Sequence, residues 1–117
     1  MISASAADRL VIDRVSFNPG RLTSRAPFTG RFHVTDTHGV AVQDALVKVI
    51  GLPYSWARNS SEAKTDATGW ATITIEPTVS LPLGKRAALV MFVRARTEGQ
   101  NLLAGNSSRR LVQVRVR

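Results

Sequence analysis

The sequence predicts an all-β fold, a sandwich of about seven antiparallel strands in a single domain. Three observations lead there. Apolar and polar residues alternate at period two in one stretch after another, as in "ATITI" at 71–75 and "LVQVRV" at 111–116, which is the pattern of a strand with one face buried. Turn-forming residues separate these runs, as in "NPG" at 18–20 and "THG" at 37–39. Apolar recurrence at helical spacing is hard to find. At 117 residues the whole chain, 1–117, has the size of one domain with one core.

The first eight residues carry no pattern and are expected to be flexible. "LVIDRVSF", Leu10 to Phe17, is the first strand. Its apolar residues change phase around Asp13 and Arg14, from Leu10 and Ile12 to Val15 and Phe17, which predicts a bulge or a switch of sheet. "FTGRFHVTD" places Phe28, Gly30, Phe32 and Val34 on one face and Thr29, Arg31, His33 and Thr35 on the other. "THGVAVQDA" turns the chain, and "ALVKVIG" follows with Ala45, Val47 and Val49 inward. "LPYSWARNSSEAK" is the longest loop, with a short edge strand expected near Glu62–Thr65. Ala71, Ile73 and Ile75 then point inward from a strand that begins at Trp70. Two prolines, Pro77 and Pro82, argue against a helix in the crossover that follows. "ALVMFVRAR", Ala88 to Arg96, is the most hydrophobic strand. After it come "TEGQN" as a turn, "LLAGNSS" as a hairpin arm with a glycine bulge, and a last strand with Val112, Val114 and Val116 inward.

Two stretches resemble the bacterial immunoglobulin-like domains of invasin- and intimin-type adhesins and the related carboxypeptidase regulatory-like modules. "FHVTDTHGVAVQDALVKV" is similar to the strand, D-x-x-G turn and following strand of that family, through Val34, Asp36, Gly39, Val42, Ala45, Val47 and Val49. "KTDATGWATITI" is similar to its T-D-x-x-G-x-A hairpin, through Thr65, Asp66, Gly69 and Ala71. The resemblance implies an immunoglobulin-like Greek-key β-sandwich that acts as a spacer or binding module without catalysis. Such domains occur in surface adhesins, and the setting expected for this chain is extracellular, a bacterial cell surface or a phage particle. No common ligand site comes with it.

The net charge is +8, and of sixteen basic residues only Lys48, Lys64 and Lys85 are lysines. Such a balance suits anionic partners, but the arginines are spread along the chain and form no basic block. The absence of cysteine excludes disulfides and thiolate metal sites. "MISASAADRL" is not read as a signal peptide, and no apolar run approaches the ~20 residues of a membrane helix.

His33, Asp36 and His38 are of metal-ligating type. An odd separation along a strand turns His33 and Asp36 to opposite faces, so the expectation is an exposed strand histidine and an aspartate bonding its own turn. No nucleophile elbow, phosphate loop, calcium loop or carboxylate pair is present. Lys48 alternates outward between Val47 and Val49, and Lys64 and Lys85 fall in loops, so none suits a buried isopeptide crosslink. The chain is therefore expected to be no enzyme and to use no cofactor.

The strands containing Ala45, Ala88 and Arg110 are expected side by side. Their outward residues include apolar Leu46, Ile50, Val90, Phe92 and Leu111 among Arg94 and Arg115. A solvated face should be polar at these positions, whereas aromatic, aliphatic and Arg side chains together suit an interface. The candidate partner is another protein subunit or a neighbouring domain; the open alternative is that the loop with Tyr54 and Trp56 covers this face. A second candidate activity is binding of an anionic glycan or cell-wall polymer through the Arg face together with Tyr54, Trp56 and Trp70. Nucleic acid is not favoured, because Phe92 is the single aromatic on the basic face.

Overall fold

The computed structural model describes residues 2–18, 20–22, 24–52, 54–58, 60–83, 88–97 and 107–116. The fold is all-β. Among the described residues there are ten strands: β1 (Ile2–Ser3), β2 (Val11–Asn18), β3 (Arg21–Leu22), β4 (Phe28–Thr35), β5 (Val42–Gln43), β6 (Ala45–Leu52), β7 (Ala63–Lys64), β8 (Trp70–Ile75), β9 (Ala88–Thr97) and β10 (Ser108–Val116). A three-stranded sheet has the order β2-β4-β8, a five-stranded sheet β3-β10-β9-β6-β7, and β1 pairs with β5 alone. The expected count of about seven falls short because β1, β3 and β5 are two residues each, too short to show any periodicity. The expected edge strand near Glu62–Thr65 is β7, antiparallel to β6. "LLAGNSS" falls mostly outside the described residues.

Inward side chains of the two larger sheets meet in one core. Phe32, Val34, Ile73 and Ile75 come from the first sheet, and Val47, Val49, Leu89, Met91, Val93 and Val114 from the second. The burial of β9 alternates residue by residue along its length, as the period-two pattern requires. The phase change in the first strand is a bulge. Pairing of β2 with β4 slips between Ile12 and Arg14, so that Ile12 opposes Val34 while Val15 opposes Phe32. Asp13 takes up the extra position, and both apolar residues keep to the core side.

The first residues, expected as flexible, run parallel to β5 through Ile2 and Ser3. Ala4 and Ala7 are buried, and the Thr97 hydroxyl donates to the Ala4 carbonyl at 3.1 Å. Among the described residues no helix is long and apolar enough to cross a membrane.

Candidate functional site

The strands expected to lie together do so, with β9 between β6 and β10. Residues directly opposite in antiparallel strands share a face and stand about 5 Å apart. Ile50 opposes Phe92, and Phe92 opposes Leu111. One apolar row therefore crosses three strands on the outer face. The adjacent row is basic, because Lys48 opposes Arg94 and Arg94 opposes Arg109. Ile50, Val90, Phe92 and Arg94 are half-buried and Arg115 is exposed, while Leu111 is 62% exposed. The Arg109 guanidinium lies 5.8 Å from the Phe92 ring centroid, a cation–π contact at the boundary of the two rows. Leu46 shares this face but is only 9% exposed, so it adds little area for a partner.

At the β7 side of the face, both Glu62 carboxylate oxygens accept hydrogen bonds of 2.7 Å from Arg96. That bidentate pairing holds the Glu62 carboxyl below its usual range, with Arg94 and Lys48 adding to the effect. Arg94 Nε is buried without a hydrogen-bond partner among the described residues. The long loop turns toward the core where it meets β6. Ala57 is buried, Trp56 packs against the core cluster, and Ala57 Cβ sits 3.0 Å from where a side chain on Gly51 would begin. The side chain of Tyr54 lies outside the description.

The three aromatics considered for glycan binding do not form one platform. Trp56 is partly buried against the core, whereas Trp70 lies on the other sheet, opposite His33. The Trp70 ring is covered by Arg31 at 4.7 Å, Arg14 at 5.5 Å and the His33 ring at 4.9 Å.

His33 corrects an expectation: it turns away from the core but is only 5% exposed. Its Nδ1 lies 2.6 Å from Asp13 Oδ1, and its Nε2–H donates to the Thr68 carbonyl at 2.9 Å. The bulge brings Asp13 to this position, and the hairpin after Thr65 brings Thr68. Alternation in the sequence marked the face of His33 but carried no sign of what would cover it.

Asp36 does bond its own turn, its Oδ1 accepting from the N–H groups of His38 at 2.8 Å and Val40 at 2.9 Å. Asp8, Asp36 and His38 each bring one potential ligand atom within 4.8 Å of the others. The Asp8 carboxylate accepts from the Thr37 hydroxyl, and that bond holds its pKa down. The Asp8 and Asp36 carboxylates thus accept hydrogen bonds from the turn, and His38 is exposed.

The segment "TDATGW" repeats the Asp36 arrangement. Asp66 Oδ1 accepts from the Thr68 N–H at 2.8 Å, the Thr68 hydroxyl at 2.6 Å and the Trp70 N–H at 3.1 Å. Its acid and hydroxyls are thereby committed to the turn. Comparison with family models, with curated proteins and with solved structures gave no match.

Sequence reasoning missed the open seam between β2 and β10. A groove of about 620 Å³ lies there, lined by Val15, Phe17, Arg110, Leu111 and Val112 among others. No single stretch carried a signal for it, because sheet order decides which strand edges are left without a neighbour.

Proposed function

We propose that this chain is a non-enzymatic immunoglobulin-like module that assembles with another protein through the outer face of its five-stranded sheet. The context that suits it is a bacterial surface protein, a filament or a phage particle. The observation that carries the reading is the half-exposed row Ile50–Phe92–Leu111 beside the basic row Lys48–Arg94–Arg109. An apolar centre with arginines at its border buries well against a partner, and the arginines select one bearing acidic groups.

The immunoglobulin-like part of the proposal draws on strand order. The chain passes from β4 in one sheet to β6 in the other, returns at β8 beside β4, and crosses again to β9 beside β6. A Greek-key sandwich has this kind of alternation. The glycan alternative draws on Trp70 with Arg14 and Arg31, and is weaker because those cations occupy the ring that would stack on a sugar.

The test is the mass in solution of wild type and Phe92→Asp across protein concentration and salt. Burial of an apolar row gives an association that resists added salt, and Phe92→Asp abolishes it while the variant keeps a cooperative unfolding transition. Association that persists in Phe92→Asp overturns the reading, and a wild type that stays monomeric throughout excludes a second copy of this chain as the partner.

A further inference from the structure

β10 pairs along one edge with β9 over Ser108–Arg115, but along its other edge, among the described residues, only Arg115 and Val116 have a strand partner, in β3. That pairing is parallel and short. From Ser108 to Val114 no strand among the described residues occupies the edge. Among the described residues β2 is likewise the end strand of its sheet, paired with β4. The two open edges face one another, bridged where Arg110 Nη1–H donates to the Ile12 carbonyl at 2.9 Å.

Between them lies the groove of about 620 Å³, whose floor includes half-buried Val15 and Val112. Among the described residues no acidic side chain lines it. Arg14, Arg21, Arg109 and Arg115 are exposed on the strands that border it.

We propose that this seam accepts an extended, acidic segment of another protein, which adds as a strand beside Ser108–Val114. An unpaired strand edge supplies main-chain hydrogen bonds to an incoming strand, while a groove beneath it takes alternate apolar side chains. The short β3 pairing is continued by the incoming strand along the same edge. Charge decides the occupant: a second copy brings the same arginines from a chain of net charge +8, whereas a segment alternating acidic and apolar residues is attracted and fits. Leu111 and Val90 line both the groove and the outer face, whereas Phe92 does not line the groove, so Phe92→Asp separates the two proposals.

The probe is a capped peptide of about ten residues alternating Glu and Val, long enough for one strand. It is titrated into the isotope-labelled full chain while amide resonances and amide exchange are followed. Resonances of Ser108–Val114 and of β2 shift, and edge amides that exchange fast in the free chain become protected. A Lys/Val peptide gives neither effect. A Glu/Val peptide N-methylated at alternate residues keeps its charge but loses binding, because its edge cannot donate. Arg110→Glu weakens binding by about tenfold, and Phe92→Asp binds as wild type. The proposal fails if the N-methylated peptide binds equally well, if the shifts map elsewhere or do not occur, or if the Ser108–Val114 edge is already protected in the free chain.

Discussion

Gly39 and Gly69 hold equivalent places in two turns, and both have left-handed backbone, with φ of 79° and 85°. Their surroundings differ. A side chain at Gly39 would meet nothing within 4 Å, whereas at Gly69 it would begin 2.8 Å from the Val34 carbonyl oxygen and 3.1 Å from His33 Nε2. Gly39→Ala therefore carries only the conformational penalty, about 1 kcal/mol. Gly69→Ala adds a collision with backbone and is expected to cost about 3 kcal/mol. Urea unfolding of the two variants measures the difference; equal costs would show that the close approach at Gly69 relaxes freely. His33 depends on the same contact, since its Nε2–H reaches the Thr68 carbonyl in that turn.

At the level of elements, the two D-x-x-G segments form the same turn twice. Asp36 N–H donates to the Val40 carbonyl and Asp66 N–H to the Trp70 carbonyl, while each glycine N–H returns to the carbonyl of its aspartate. Each Asp side chain takes the N–H groups two and four residues on. The second turn is tied to the opposite sheet by Thr65. Its buried hydroxyl donates to the Val42 carbonyl at 2.6 Å and accepts from the Ala45 N–H at 3.0 Å. It thus spans the junction between β5 and β6, where Asp44 has a φ of 65°. Thr65→Val keeps the shape and leaves two buried backbone groups without that partner. The expected loss is about 2–3 kcal/mol by denaturant unfolding. A loss under about 0.5 kcal/mol would mean that water or a backbone shift replaces the hydroxyl.

Over the whole molecule, three carboxylates share one response to acid. Asp66 and Asp8 sit below the ordinary aspartate value of 3.8, and Glu62 below the ordinary glutamate value of 4.5. The causes are first the hydrogen bonds from Thr68, Thr37 and Arg96, respectively. A depressed folded-state pKa contributes stability above the unfolded value and loses it as pH falls through the folded value. The chain should therefore hold its stability down to about pH 5 and weaken steadily through pH 4 and 3. Asp66→Asn should shallow that decline, and urea midpoints measured against pH read it directly; identical slopes in wild type and variant would remove Asp66 from the account. The sequence by itself determined the all-β class, the long strands and the inward residues, because one-sided burial imposes a period of two that is written locally. It also marked the bulge through the change of phase between Ile12 and Val15, and the two turns through Asp and Gly at fixed spacing. Tertiary structure alone decided that Trp70 lies beneath Arg14 and Arg31, that His33 is covered, and that Ile50, Phe92 and Leu111 stand in one row. It also decided that β2 and β10 face each other as open edges. Those outcomes depend on register and sheet order, which are set by pairings between residues far apart in the chain and leave no pattern in any single stretch of it.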